Sequence, residues 1–461
     1  MAGIFGTDGV RARINTGAMR AESVVRLALA AGRWFVSHQE QTASHDGPPL
    51  VVIGKDTRLS GYMLEAALVA GFSSIGMEAR LLGPIPTAAV SHMTGKLGAH
   101  LGVMISASHN PHHDNGIKLF GPDGKKLDDS IENEISQLMG GSIALAEAEH
   151  LGKVRRILDT ADHYVEFAAA TMRDDVTQQP LAGMKIVVDA AHGAAYVTAP
   201  KTLRLLGAEV VALNCEPDGL NINLDCGAVY PHKMAEAVKT HQADLGIALD
   251  GDADRLIVAD ETGVIHDGDK VLAAIATYHA EIGVLRGTLI GTLMTNLGLE
   301  AYLATKNIPF ARANVGDRYI LQMLEGGHEK APEGGNLGGE NSGHILMSDI
   351  CASGDGLLAA LQLIKAKLAS GKNMSALLSL YDSVPQKLVN LPNMNKTLVT
   401  DPMIIDLVTK LTDDFAGQGR ILLRPSGTEP LIRVMVEAYD PARLDAAIDR
   451  LVTALKDLND A

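Results

Sequence analysis

The 461-residue chain has three cysteines, Cys215, Cys226 and Cys351. They are too few and too irregularly spaced for a disulfide framework or a four-thiolate zinc site, and they read as buried or half-buried thiols. A basic excess is also missing. The 40 lysines and arginines stand against 55 acidic residues, a net charge of −15. Nucleic acid and anionic membranes both require a cationic face, so neither is an expected partner. No stretch approaches the roughly 20 apolar residues of a membrane span. The opening segment MAGIFGTDGVRARINTG has no continuous apolar run of a secretory signal. The expected location is the cytoplasm, and an anionic substrate would need a local basic pocket.

What is present is an ordinary globular balance, 46% hydrophobic and 21% charged, over a length that at about 100 to 200 residues per domain implies several domains. Short apolar runs alternate with polar turns and amphipathic segments of helical length. The clearest runs are Leu50 to Gly54, His100 to Ile105, Met184 to Val188, Glu209 to Leu213, Leu245 to Leu249 and Gly287 to Leu293. Such continuous runs suit parallel strands covered on both faces, so the expected class is α/β. After about residue 384 the pattern changes. A connector with Pro385 and Pro392 leads to a helix, strands near Arg420 to Leu423 and Leu431 to Glu437, and a final helix from Pro441, which reads as a smaller α+β domain. The expected divisions are 1–157, 158–262, 263–383 and 384–461. Gln41 to Pro49 and Gly326 to Gly339 read as surface loops.

Three constellations carry chemistry. In GVMISASHNPHHDNGIK, Gly102 to Lys118, an apolar strand gives way to polar residues. Ser108 and His109 therefore sit at a strand's C-terminal end, where open α/β sheets place ligands. A serine hydroxyl needs a nearby base or cation to become a nucleophile, and His109, His112, His113 and Lys118 are all close in sequence. In DGDADR, Asp250, Asp252 and Asp254 follow the run LGIAL. Three adjacent carboxylates repel one another, and a hard cation, Mg²⁺, would keep all three ionised, with Arg255 offering a fork to a phosphate. An EF-hand is disfavoured because Arg255 stands where that loop needs glycine; a solvated acidic turn is the alternative.

The third constellation is made of grips. GGENSGH, Gly338 to His344, sets Glu340, Ser342 and His344 among glycines, as a loop approaching a polyhydroxylated ligand requires, although a Gly-rich surface turn explains it equally by residue type. In RPSGTEP, Arg424 to Pro430, the side chain of Arg424 and the amides and hydroxyls of Ser426, Gly427 and Thr428 could surround a phosphate. Arg433 follows on the next strand. An ordinary capped turn is the alternative there.

Taken in order, FGTDGVR (Phe5 to Arg11), SASHNP (Ser106 to Pro111), DGDADR, GGENSGH and RPSGTEP resemble the α-D-phosphohexomutase superfamily along the whole chain. VGDRY (Val315 to Tyr319) and TLMTNLGLE (Thr292 to Glu300), with FGTDG, resemble its glucosamine-phosphate branch rather than the phosphoglucomutase or phosphomannomutase branches. Departures are Ala12 where a glycine is usual, His112 where an aromatic is common, and the extra loop Gln41 to Pro49.

The resemblance implies three similar α/β domains with mixed sheets around a central cleft, plus a smaller C-terminal α+β domain like the TATA-binding protein. It implies a phosphoserine at Ser108, Mg²⁺ held by Ser108, Asp250, Asp252 and Asp254, and catalytic assistance from His109, Lys118 and Arg11. Substrate contacts would come from Arg255, Asp317, Arg318, Glu340, Ser342, His344, Arg424, Ser426, Gly427, Thr428 and Arg433. The implied partner is a small sugar phosphate, in the route to UDP-N-acetylglucosamine, with the C-terminal domain as a lid. A homodimer is compatible with this. A non-catalytic sugar-phosphate sensor is the rival of a different class.

Overall fold

The computed structural model describes residues 4–6, 8–38, 47–173, 178–425 and 431–460. The apolar runs become strands, most of them buried along their length, as in Leu50–Lys55, Leu101–Ile105 and Leu245–Leu249, whereas Glu209–Leu213 is half-buried to exposed. The first sheet contains β1 (Val10–Arg13), β2 (Leu50–Lys55), β3 (Glu78–Pro84), β4 (Leu101–Ile105), β5 (Asp114–Phe120) and β6 (Val154–Arg156), in the order β1-β5-β4-β2-β3-β6. β2 lies between parallel neighbours β3 and β4, and β5 returns antiparallel to β4. Helices Gly61–Ser74 and Thr87–Lys96 make the crossovers. Val51, Ile53, Val103 and Ile105 are wholly removed from solvent. Each such burial contributes roughly 1.5–3 kcal/mol.

The second sheet repeats the plan. β7 (Lys185–Asp189), β8 (Glu209–Leu213), β9 (Leu245–Leu249), β10 (Leu256–Asp260) and β11 (Ile265–His266) run in the order β11-β10-β9-β7-β8. As β2 does in the first sheet, β7 lies between two parallel neighbours, β8 and β9, and β10 returns antiparallel to β9. The third sheet holds β12 (Leu289–Thr292), β13 (Phe310–Ala313), β14 (Leu337–Gly339) and β15 (Ile345–Met347) in the order β13-β12-β14-β15, with β15 antiparallel to β14.

One turn is therefore equivalent in all three sheets, the one that joins the third parallel strand to its antiparallel return. Between β4 and β5 it carries Ser108, between β9 and β10 the three aspartates, and between β14 and β15 Glu340 to His344. The topology lines up the three chemistry-bearing segments before any side chain is considered.

The last sheet is antiparallel, β16-β18-β17, from β16 (Gln386–Pro392), β17 (Gly419–Pro425) and β18 (Leu431–Ala438). Helix Pro441–Asp460 covers it through Leu444, Ile448, Leu451 and Leu455, an apolar stripe at helical spacing. The helix Pro402–Asp414 before it starts on Asp401, whose carboxylate accepts the Met403 N–H at 2.8 Å.

Two expectations need correction. The segment expected as a connector between Pro385 and Pro392 is strand β16. It lies at a sheet edge with β18 as its single neighbour, where a proline's missing N–H is tolerated. The turn residues Glu261 to Gly268 mark a hairpin inside the second sheet. The Asp260 carboxylate accepts from Thr262 N, Thr262 Oγ1 and Val264 N, and β11 carries the sheet past the boundary expected at 262.

The chain packs as two units, Met1–Thr292 with Ala311–Ser379, and Leu293–Phe310 with Leu380–Ala461. The first contains the three turns. The second joins the last sheet to the helix Leu297–Thr305, because Arg420 donates to the carbonyls of Leu293 (2.8 Å) and Thr295 (2.6 Å), and Glu437 accepts the Leu297 N–H at 2.7 Å. Among the described residues no helix is long and apolar enough to cross a membrane.

Candidate active site

Ser108 and the aspartates, 142 positions apart, meet: Ser108 Oγ donates to Asp250 Oδ2 at 2.5 Å. The serine is 1% exposed, and its backbone is left-handed, with φ of 51°. Asp250, Asp252 and Asp254 are buried, with ligand oxygens within 4.8 Å of one another. Left-handed Ala253 (φ 62°) curls the turn so that all three acids converge. His109 Nδ1 is 3.3 Å from Ser108 Oγ.

The electrostatics of this cluster are uneven. Burial, reinforced by the carboxylates of Asp254 and Asp252, pushes Asp250 well above the usual range. Burial also opposes ionisation of Asp254, but Lys118 and His344 outweigh it and hold that carboxyl well below normal. Lys118 Nζ lies 2.9 Å from Asp252 Oδ2 and 3.1 Å from Asp254 Oδ2. Despite full burial, those partners and Asp8 raise its pKa well above the ordinary lysine value. Thr87 Oγ1 donates to Asp252 Oδ2 at 2.7 Å. The other oxygens, Oδ1 of Asp252 and of Asp254, are buried and have no hydrogen-bond partner among the described residues. Leaving two buried anionic oxygens unpartnered is costly, and three hard oxygen ligands with two such atoms fit a divalent cation.

The third turn reaches the same place. His344 Nδ1 is 3.6 Å from Asp254 Oδ2, and its Nε2 is 3.6 Å from Asp317 Oδ2. Burial opposes protonation, yet Asp254, Asp317 and Glu340 together raise His344 to about 9. Burial, with help from Arg255 and Arg11, lowers His109 to about 4. At neutral pH one imidazole is therefore cationic and the other neutral. Glu340 accepts from Gly316 N at 2.9 Å and from Ser342 Oγ at 3.1 Å. Arg255 N donates to Asp250 Oδ1 at 3.1 Å, and its Nε lies 3.9 Å from Asp254. Gly354 lacks a side chain because a Cβ there would sit 2.3 Å from His344 Nε2.

Two residues passed over in the sequence, Asp8 and Lys126, close a ring of alternating charge. Lys118 is 3.3 Å from Asp8, Lys126 bridges Asp8 and Asp317 (2.5 Å to the latter), and Asp317 returns through His344 to Asp254. Arg11 joins the ring on Asp8. No sequence motif marks Lys126, which lies in an unremarkable turn, GPDGKK.

Other expected residues lie elsewhere. Arg318 is held by Asp129 and Glu132 of the helix Asp129–Leu138, 2.7 Å from Glu132, so its guanidinium is committed away from the aspartates. His112 and His113 are exposed. In the second unit Arg424 and Arg433 are register partners on β17 and β18. Ser426, Gly427 and Thr428 lie outside the described residues.

The chain matches the phosphoglucomutase/phosphomannomutase domain models throughout: alpha/beta/alpha domain I over residues 2–142, domain II over 162–263, domain III over 267–384 and the C-terminal domain over 363–454. Among curated relatives, the phosphoglucosamine mutase of Cereibacter sphaeroides is 49% identical over 98% of this chain and 99% of its own length. That of Caulobacter vibrioides is 47% identical over 98% of each. Among solved structures, a phosphoglucomutase/phosphomannomutase family protein from Burkholderia thailandensis superposes with a TM-score of 0.79 at 24% identity, over 98% of this chain and 97% of that one. The Aspergillus fumigatus N-acetylphosphoglucosamine mutase in complex with GlcNAc-6P and magnesium gives 0.66 at 18% identity, over 99% and 96%. The fold, the four successive domain matches and near-half identity over the full length agree: this chain is a member of the phosphoglucomutase/phosphomannomutase family.

Proposed function

We propose that the chain is a phosphoglucosamine mutase, an isomerase that interconverts glucosamine 6-phosphate and glucosamine 1-phosphate through phosphorylated Ser108. The observation that carries this reading is the 2.5 Å approach of Ser108 Oγ to Asp250 within a cluster fit for a divalent cation. Near-half identity to curated phosphoglucosamine mutases supports the choice of substrate. The phosphoryl group leaves Oγ of Ser108 for O1 of glucosamine 6-phosphate, giving the 1,6-bisphosphate. That intermediate turns over, and its 6-phosphoryl group returns to Oγ.

Mg²⁺ held by Ser108, Asp250, Asp252 and Asp254 would supply positive charge to the transferring group, whose reaction depends on positioning and neutralisation. Lys118, ringed by carboxylates, serves as a fixed cation rather than a base. The neutral imidazole of His109, 3.3 Å from Ser108 Oγ, is placed to accept the proton from the attacking hydroxyl. Glu340, Ser342, His344 and Asp317 address the sugar, with Arg255 beside the reacting phosphate. In the second unit, Arg424 and Arg433 are the candidate phosphate-binding residues. The setting is cytoplasmic, in supply of UDP-N-acetylglucosamine, and a homodimer is compatible with it.

Parallel assays of the purified protein on glucosamine, glucose and mannose 6-phosphates test the reading. Highest kcat/KM on glucosamine 6-phosphate is expected. Preference for glucose or mannose phosphate would make it a phosphoglucomutase or phosphomannomutase, and saturable binding without turnover would make it a sensor.

A further inference from the structure

We infer that Arg58 and Asn223 are positioning residues that hold the backbone of Ser108 in its left-handed conformation, keeping the hydroxyl aligned on Asp250. The inference rests on the carrier role proposed for Ser108. A left-handed non-glycine residue costs roughly 1–2 kcal/mol and persists where its surroundings over-determine it. At Ser108 they do.

Its carbonyl accepts two hydrogen bonds, from Arg58 Nη2 at 3.1 Å and Asn223 Nδ2 at 2.9 Å. The same two groups reach the carbonyl of Asn110, at 2.5 and 3.1 Å. Two carbonyls at one amide nitrogen also settle the orientation of the Asn223 side chain. The Ser108 N–H donates to Ser106 Oγ at 2.9 Å, and Ser106 Oγ donates in turn to Asp56 Oδ2 at 2.6 Å. Asp56 pairs with Arg58, and both side chains are completely buried.

The two donors come from different sheets. Arg58 follows β2, and Asn223 precedes β9, anchored by its own N–H on the Ala191 carbonyl at 3.0 Å. Gly251 makes room for the junction: a Cβ there would lie 2.5 Å from the Ser108 carbonyl oxygen and 2.7 Å from Asn223 Nδ2. Every one of these bonds is to main chain or to neighbouring side chains, none to the Ser108 hydroxyl. The grip is therefore the same whether that oxygen is free or phosphorylated, which a group shuttling between both states requires.

The test uses the full-length protein carrying Asn223→Ala or Arg58→Lys, loaded with a hexose 1,6-bisphosphate. Displacing the serine should lower kcat on the order of 100-fold with KM unchanged. The phosphoserine ³¹P resonance should shift and broaden, while the melting temperature stays close to that of the parent. Should Asn223→Ala not fold, Asn223→Ser retains a short donor and should show a partial loss in the same readouts. Unchanged kcat with an unchanged ³¹P line in these variants overturns the inference, as does a raised KM with intact kcat. Ser108→Ala is the control. If it keeps turnover, the carrier reading itself falls; if it is inactive while the Asn223 and Arg58 variants run at full kcat, only the positioning inference falls.

Discussion

Asp250 illustrates how one carboxyl can weaken the fold and serve the site. Burial and its two acidic neighbours disfavour its charge, so without a cation its ionised form destabilises the folded chain, and with one it becomes a ligand. Asp250→Asn should therefore melt no lower than the parent in EDTA, lose the parent's rise in melting temperature on adding Mg²⁺, and lose mutase activity. Thermal melts with and without the ion check all three. Asp355 gives a pH signature. Burial raises it from the usual 3.8 to about 6, although Tyr164 Oη donates to it at 2.6 Å and two backbone amides bind it. A raised carboxyl pKa means the folded state binds more protons between those values, so stability falls as pH rises from about 4 to 6 and is level above. The full effect is roughly 3 kcal/mol. Urea titrations across that range should find the slope reduced in Asp355→Asn. Ser108 and the aspartate triplet could be singled out in the sequence because their chemistry needs those residue types in a cluster. Lys126, Arg58 and Asn223 could not, since each is defined by partners far along the chain or by a bond to main chain, which leaves no local pattern, and Asp8, although it stands in FGTDGVR, owes its place in the ring to Lys118 and Lys126, more than a hundred positions away.

The equivalent turn of the three sheets acts as a unit of design at the scale of elements. Each sheet delivers one turn, and the ring through Lys118, Asp8, Lys126, Asp317 and His344 ties the first and third turns to the second. Lys126→Met would leave Asp8 and Asp317 without their shared cation. The expected loss is about 3 kcal/mol, as for other broken buried pairs, with a larger fall in activity than substitution of the half-buried neighbour Lys125; urea denaturation and turnover measure each. Strands such as Leu50–Lys55 and Leu245–Leu249 were legible because both faces are covered and the run is continuously apolar. β16 was not, because an edge strand with one mostly exposed face and prolines at its margins carries the composition of a linker. The turn residues after Asp260 signal a reversal of the chain without saying whether the next strand rejoins the same sheet.

For the molecule as a whole, the second unit has its own core, with Leu451 and Leu455 fully buried against Ile432, Val434 and Val436. Leu451→Ala should cost about 2–5 kcal/mol, and by calorimetry that loss should shift one of two transitions while the other stays in place. The same unit explains why the division expected at residue 384 describes the covalent order better than the packing. Glu437, 0% exposed, serves both Arg420 and the Leu297 amide, and Asn296 exchanges two hydrogen bonds with the backbone of Val384. The C-terminal module is thus not a tail that scissors could remove in one cut. Grafting it between related mutases would succeed only if the donor's 293–310 travelled with it, since a transplant starting at 384 would bring a buried glutamate deprived of its amide and a sheet missing the helix that belongs to it.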